Sequence, residues 1–121
     1  MKESIIKDKS FGFALTIIEL YKKMTENKEF ILSKQLIRSG TSIGANVSEA
    51  LAGESRADFV HKMSIASKEA RETLYWLELL EQSNLISINF KEYIQNYKEL
   101  IKILTSIIKT TKNSKPKTQN Y

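Results

Sequence analysis

The 121-residue sequence contains no cysteine, one proline, four glycines and one histidine. Without cysteine the chain can form neither a disulfide framework nor a thiolate metal site. One proline and four glycines leave few residues for tight turns, which disfavours an all-β fold with many short connections. One histidine cannot supply the paired histidines of carboxylate metal sites in helical bundles. We therefore expect a helical protein with no metal site and no cofactor.

Long apolar runs are also missing. Lysine or glutamate interrupts the apolar blocks at helical intervals, and none approaches the roughly 18 residues that a membrane span requires. Lys7 and Asp8 interrupt the N-terminal segment where a signal peptide would be continuously apolar. We expect a soluble, cytoplasmic protein that has no membrane partner.

The net charge of +5 arises from 19 basic and 14 acidic residues. The last acidic residue is Glu99, and five lysines follow it, so residues 1–99 are neutral by count. A basic chain can indicate a nucleic-acid partner. Here the excess charge is expected on a basic C-terminal segment and not on one face of the folded body.

Four segments repeat apolar residues every three or four positions, as amphipathic helices do. We predict helices at about residues 10–26, 30–52, 55–83 and 88–111. In the second segment the repeat continues through the part that contains the glycines: Leu36, Gly40, Ile43, Val47 and Ala50. In the third segment the repeat forms a heptad seam: Phe59, Met63, Ala66, Ala70, Thr73, Leu77 and Leu80.

Short connections place consecutive helices antiparallel. The predicted fold is all-α, an antiparallel up-down-up-down four-helix bundle over residues 10–111, and seam spacing near 3.5 favours left-handed, shallow crossings. Residues 1–9 are expected to form an N-terminal extension, and residues 112–121 a basic tail without regular structure.

The second predicted helix contains the poor helix formers of the sequence QLIRSGTSIGANVSEA, residues 35–50. Gly40, Gly44 and Ser48 recur every four residues and line one narrow strip. Each glycine costs about 0.5–1 kcal/mol relative to alanine inside a helix. We expect the strip to allow close packing of a neighbouring helix; a kink or break near Gly40 is the alternative.

A second strip of the same helix is polar and consists of Gln35, Arg38, Ser42, Asn46 and Glu49. If the hairpin to the third helix turns at Gly53, facing residues have numbers that add to about 107. Arg38 then faces Glu69 and Glu72, and Asn46 faces His61. We interpret the strip as a structural polar seam that fixes register; a polar site for a ligand or nucleic acid is the alternative.

These residues carry a family resemblance. Helix 2 has a Q-L-x-R-S-x-x-S-I-x-x-N-x-x-E pattern, and SRADFVHKMSIASKEARETLYWLELL follows at residues 55–80 with Phe59, Ala66, Glu72 and Thr73 at matching positions. The chain resembles the four-helix-bundle family of 23S rRNA intervening-sequence proteins from residue 10 to 108. Many members have glycine after the final glutamate of the pattern, where this chain has Ala50.

The resemblance implies a non-enzymatic protein, because no catalytic activity is established for the family. Related accessory proteins of diversity-generating retroelements form homopentameric barrels, with a basic surface that contacts reverse transcriptase and nucleic acid. By similarity we expect a homo-oligomer, a pentamer, that serves as a binding or scaffold protein with RNA or DNA as partner. The small-residue strip and Trp76 are candidate interface material.

Two other functions remain open. Arg56 and His61 fit the R-x4-H spacing of HEPN-type ribonucleases, in which histidine acts as general base and arginine holds a phosphate. A purely structural homo-oligomer without nucleic acid is the other possibility. If nucleic acid does bind, its candidate contacts are the lysines of the C-terminal segment: Lys109, Lys112, Lys115 and Lys117.

Overall fold

Four α-helices form the protein in the computed structural model, which describes residues 2–114, with side chains from Ile5 onward. They are α1 (Lys2–Glu26), α2 (Leu32–Ala52), α3 (Arg56–Ser83) and α4 (Lys91–Asn113), with no strand among the described residues. Each helix packs on its neighbours in chain order, and α1 also meets α4. The all-α four-helix bundle predicted from the apolar repeat is confirmed. Handedness and crossing angle remain predictions.

The core follows the predicted repeats. Six of the seven residues of the α3 seam, from Met63 to Leu80, are buried, and Phe59 is partly buried. All five of the α2 repeat are buried as well, including Gly40. Helix α2 runs unbroken through both glycines, so the alternative of a break near Gly40 is wrong.

Polar side chains fix where the helices begin. The hydroxyl oxygen of Ser55 accepts a hydrogen bond from the backbone N–H of Asp58 at 3.0 Å, as an N-cap of α3 does. The carboxylate of Glu29 accepts the backbone N–H groups of residues 31–33 at the start of α2. Because the exposed donors at a helix N-terminus favour negative charge, Glu29 stabilises this end.

Helix α1 begins at Lys2, eight residues before the predicted start, so the expected extension over residues 1–9 is wrong for the residues that the structure describes. Ile6 is fully buried and adds one more turn to the apolar stripe. Ser10 lies inside the helix, where its hydroxyl donates to the carbonyl of Lys7 at 3.2 Å. It is therefore not an N-cap.

Helix α4 continues to Asn113, so the predicted tail of residues 112–121 begins too early. Lys112 belongs to the last turn of the helix. Lys115 and Lys117 lie outside the described residues. No helix in the described part of the chain combines enough length and apolarity to cross a lipid bilayer.

Candidate functional site

The polar seam between α2 and α3 centres on Arg38. Its guanidinium contacts both glutamates predicted to face it: Nη1 lies 3.4 Å from Oε1 of Glu69, and Nη2 donates to Oε2 of Glu72. The side chain of Arg38 is 50% exposed, against 18% for Glu69 and 31% for Glu72. The cluster is partly wet, so its ion pairs contribute less than a fully buried pair would.

Trp76 extends this cluster. Its indole Nε1–H donates to Oε2 of Glu72 at 3.0 Å, and its ring packs on the core in a half-buried position. Trp76, which we named as candidate interface material, is therefore largely engaged by its own chain. The neighbouring Tyr75 is 57% exposed instead, with its ring edge-on to the indole at 5.1 Å between centroids.

Behind the ion pairs lies a buried contact between two hydroxyls, which our sequence reasoning did not identify. Thr73 Oγ1 and Ser39 Oγ are 2.9 Å apart, and both side chains are fully buried. Each hydroxyl also lies within hydrogen-bond distance of a carbonyl of its own helix, Glu69 for Thr73 and Leu36 for Ser39. Both residues belong to the family pattern, which was the available signal.

The remaining residues of the polar seam have different partners. Ser42 and Asn46 donate to carbonyls of their own helix, at Ser39 and Ser42 respectively, and Gln35 is exposed. Glu49 lies 2.8 Å from the ammonium of Lys62. This hydrogen bond, with the carboxylate charge, raises the pKa of Lys62. The numbers of Glu49 and Lys62 add to 111, and those of Ser39 and Thr73 add to 112, so the predicted register sum of 107 is wrong by about one turn at both contacts.

The small-residue strip of α2 faces α1. A Cβ atom on Gly44 would lie 3.5 Å from the backbone oxygen of Ser10, so here a neighbouring backbone approaches closely. A Cβ atom on Gly40 would instead lie 2.9 Å from a methyl group of Ile17. Ser48 is exposed at the rim of a groove of about 380 Å³ that also contacts Gly44 and Phe11.

The structure places Arg56 and His61 in one open cleft beside Lys112. The guanidinium of Arg56 is occupied, however: Nε and Nη2 donate to the carbonyl of Thr111 at 3.0 and 2.6 Å, and Nη2 also donates to the carbonyls of Lys112 and Ser114. Arg56 therefore caps the C-terminus of α4. In the R-x4-H hypothesis the same guanidinium would hold a phosphate.

The lysines of α4 form a row on its outer surface. At about 100° per residue they fall within an arc of about 80°, and all five are exposed: Lys91, Lys98, Lys102, Lys109 and Lys112. The acidic residues of this helix lie elsewhere, since Glu99 pairs with Lys9 of α1 at 3.2 Å and Glu92 lines a cleft with α1 residues. No carboxylate of the described residues lies within ion-pair distance of the row. Contrary to the expectation, three of the five lysines that follow Glu99 therefore lie on one face of the folded body, while Lys115 and Lys117 lie outside the described residues.

Residues that could hold a metal ion are dispersed. In the part of the chain that the structure describes, no group of three or more histidine, aspartate or glutamate side chains is close enough to bind one ion.

The fold and these surfaces define a small all-α bundle with a polar α2–α3 seam and a basic outer surface on α4. The chain belongs to the 23S rRNA-intervening sequence protein family, whose model matches residues 2–106. The family resemblance seen in the sequence is thus confirmed.

One similar solved structure is a crystal structure, at 1.70 Å resolution, of a protein with unknown function from the S23 ribosomal protein family of Bacteroides thetaiotaomicron VPI-5482. The two chains are 51% identical, with a TM-score of 0.86 over 90% of this chain and 99% of the other. No curated protein matches the chain.

Proposed function

We propose that this protein is a non-enzymatic scaffold that self-associates and contacts nucleic acid through the lysine row of α4. The observation that carries the proposal is the row itself, with five exposed cations on one side of a helix and no carboxylate neutralising them among the described residues. Such a surface attracts a polyanion by releasing its condensed counterions, without reading its sequence.

Exposed apolar side chains of α1 support self-association. Phe11 is 66% exposed and Leu15 is 51% exposed, and their spacing of four residues places them on one face of the helix. The groove beside Phe11 is floored by Gly44 and edged by Ser48. A protruding ring next to a shallow groove can pack against another copy, and repeated head-to-tail contacts close into a ring. We propose a pentamer by similarity to the related ring-forming proteins.

The arrangement around Arg56 favours a non-enzymatic role. A guanidinium that caps the last turn of α4 is unavailable to hold a scissile phosphate unless that turn opens. Incubation with labelled RNA should therefore give no cleavage above the background of a His61→Ala variant. Cleavage by the wild type that disappears in His61→Ala would establish the ribonuclease instead.

The binding proposal is tested by fluorescence anisotropy with labelled nucleic acid over a salt titration. We expect affinity to fall steeply with salt, and the Lys98→Ala/Lys102→Ala variant to give a shallower dependence, because fewer counterions are released. Binding of neither RNA nor DNA at 50 mM salt would refute it and leave the purely structural oligomer.

A further inference from the structure

A cleft of about 360 Å³ separates α3 from the C-terminal half of α4. Arg71 of α3 and Lys109 and Lys112 of α4 line it, together with the hydroxyl-bearing side chains of Ser67 and Thr105. None of the residues that line the cleft is acidic. The three cations are exposed and form no ion pair with a carboxylate of the described residues.

This set of side chains suits a phosphodiester. A guanidinium can donate two parallel hydrogen bonds to phosphate oxygens, and an ammonium adds a mobile positive charge. The two hydroxyls can donate further hydrogen bonds. Because every side chain of this set carries a donor and none carries a carboxylate, these side chains do not repel an anion.

The C-terminus of α4 would oppose an anion at this position, because its last carbonyls carry a partial negative charge. Arg56 offsets that negative charge, because its guanidinium donates hydrogen bonds to the carbonyls of Thr111, Lys112 and Ser114. The same bonds fix the turn that carries Lys112. Arg56 is thus a positioning residue for the cleft.

No aromatic ring lines the cleft, whereas proteins that grip single strands usually stack bases on aromatic side chains. The lysine row leading to the cleft runs from Lys91 to Lys112, 21 positions apart, which is about 31 Å at 1.5 Å per residue. One turn of duplex is about 34–36 Å. The length of the lysine row is therefore close to that of one duplex turn, so the row can contact backbone phosphates along a duplex.

We propose that the α3–α4 cleft binds a backbone phosphate of double-stranded nucleic acid, with Arg71, Lys109 and Lys112 as its ligands. The inference rests on the proposed function and deepens it, by locating the contact and selecting the duplex form. Recognition through phosphates carries little sequence preference.

The test compares wild type with an Arg71→Ala/Lys109→Ala variant. Labelled duplex RNA, duplex DNA and a single strand of equal length are titrated between 50 and 300 mM salt. The matched control, Lys22→Ala/Lys34→Ala, removes the same charge from exposed positions on α1 and α2. Circular dichroism melts establish that all variants fold.

We expect wild type and the control to bind a duplex about tenfold more tightly than the single strand. In the cleft variant the salt slope should be smaller by about 0.9, the contribution of the one phosphate contact that is lost. Inorganic phosphate should displace the duplex no better than chloride at equal ionic strength.

Other outcomes overturn the inference in distinguishable ways. Equal affinity for single strand and duplex contradicts the duplex assignment, while the proposed function stands. An unchanged slope in the cleft variant, with a reduced slope in Lys98→Ala/Lys102→Ala, moves the contact away from the cleft. If millimolar inorganic phosphate displaces the duplex better than chloride does at equal ionic strength, the cleft binds a free phosphate ion instead. Absence of all binding removes the proposed function together with this inference.

Discussion

Arg56, on the first turn of α3, donates hydrogen bonds to the carbonyl of Thr111, on the last turn of α4. The contact joins residues 55 positions apart and adds donors to the last carbonyls of α4, which lack the usual i+4 partner. It also places a positive charge where the helix dipole is negative. Arg56 therefore stabilises the last turn of α4, together with the cap from Ser114.

Replacing Arg56 by alanine should destabilise the protein. Hydrogen bonds to a charged group contribute about 1.5–3 kcal/mol, and because the guanidinium is partly exposed we expect a loss of about 2 kcal/mol. Urea unfolding measures it, and hydrogen exchange should show faster exchange confined to the last turn of α4. Ala57→Ser, at an exposed neighbouring position, is the control. Equal stability of Arg56→Ala and wild type would show that the cap contributes nothing.

The Arg38 cluster should behave as a coupled unit. In a double-mutant cycle with Arg38→Met and Glu72→Gln we expect a coupling energy of about 1 kcal/mol, limited by the 50% exposure of Arg38. Trp76 is the only tryptophan of the chain and donates to Glu72. Its fluorescence should therefore change in Glu72→Gln, whereas Lys62→Met, which removes a separate pair, should leave the emission unchanged. Additive single-mutant effects would show that the pair is uncoupled.

The sequence was sufficient to predict the helices, because the burial repeat of three and four residues is local information. It also placed Arg38 opposite two glutamates, since antiparallel hairpins have a countable register. The count was wrong by about one turn, as the contacts Ser39–Thr73 and Glu49–Lys62 show, because the connection at Gly53 is extended, with ψ of 153°. An error of two or three residues in the turn is enough to move the facing residue by one turn.

Other features needed the three-dimensional structure. Nothing local connects Arg56 with Thr111, so the cap could not be read from the chain. The spacings of seven, four and seven from Lys91 to Lys109 did predict the lysine row. We missed it because a count of charges by segment ignores the angular position of each residue around the helix. The start of α1 was missed because the polar residues 7–10 separate Ile6 from the rest of the apolar stripe.

The two glycines of the α2 strip should respond oppositely to alanine. At Gly40 the new Cβ atom would lie 2.9 Å from Cγ2 of Ile17, a branched side chain with little rotamer freedom. We expect Gly40→Ala to destabilise by about 1–3 kcal/mol through overpacking. At Gly44 the nearest atom is at 3.5 Å, so alanine fits and should stabilise by about 0.5–1 kcal/mol through helix propensity. Thermal and urea unfolding of both variants measures this, and the same sign in both would contradict the packing difference.

Stability should fall at alkaline pH because of Tyr97. Burial raises its pKa above the ordinary value, so the folded state keeps the phenolic proton at pH values where the unfolded chain, with a pKa near 10, has lost it. Above about pH 10 the folded state therefore holds more protons, and stability decreases by up to about 1.4 kcal/mol per pH unit from this group.

Urea unfolding of wild type and Tyr97→Phe from pH 8 to 11 separates this effect from other titrations. At pH 8 the variant should be less stable by about 1 kcal/mol, since it lacks the hydrogen bond from the hydroxyl to the carbonyl of Phe13. The difference should shrink or reverse above pH 10. Parallel curves across the whole range would mean that the unfolded and folded states ionise Tyr97 alike.

We expect the exposed pair on α1 to form the contact through which the proposed homo-oligomer assembles. Phe11 and Leu15 protrude beside the groove at Gly44 and Ser48, and exposed aromatic side chains cost solubility unless another surface covers them. Light scattering should give a mass of about 70 kDa for a pentamer of the 13.9 kDa chain. Phe11→Ser/Leu15→Ser should lower that mass towards the monomer without loss of helicity, because neither side chain contributes to the buried core.

Phe30→Ser, which removes a 58% exposed ring in the α1–α2 connection, is the control and should keep the assembly. If the α1 variant retains the full mass while Phe30→Ser dissociates, the interface lies at the end of the bundle that carries this connection.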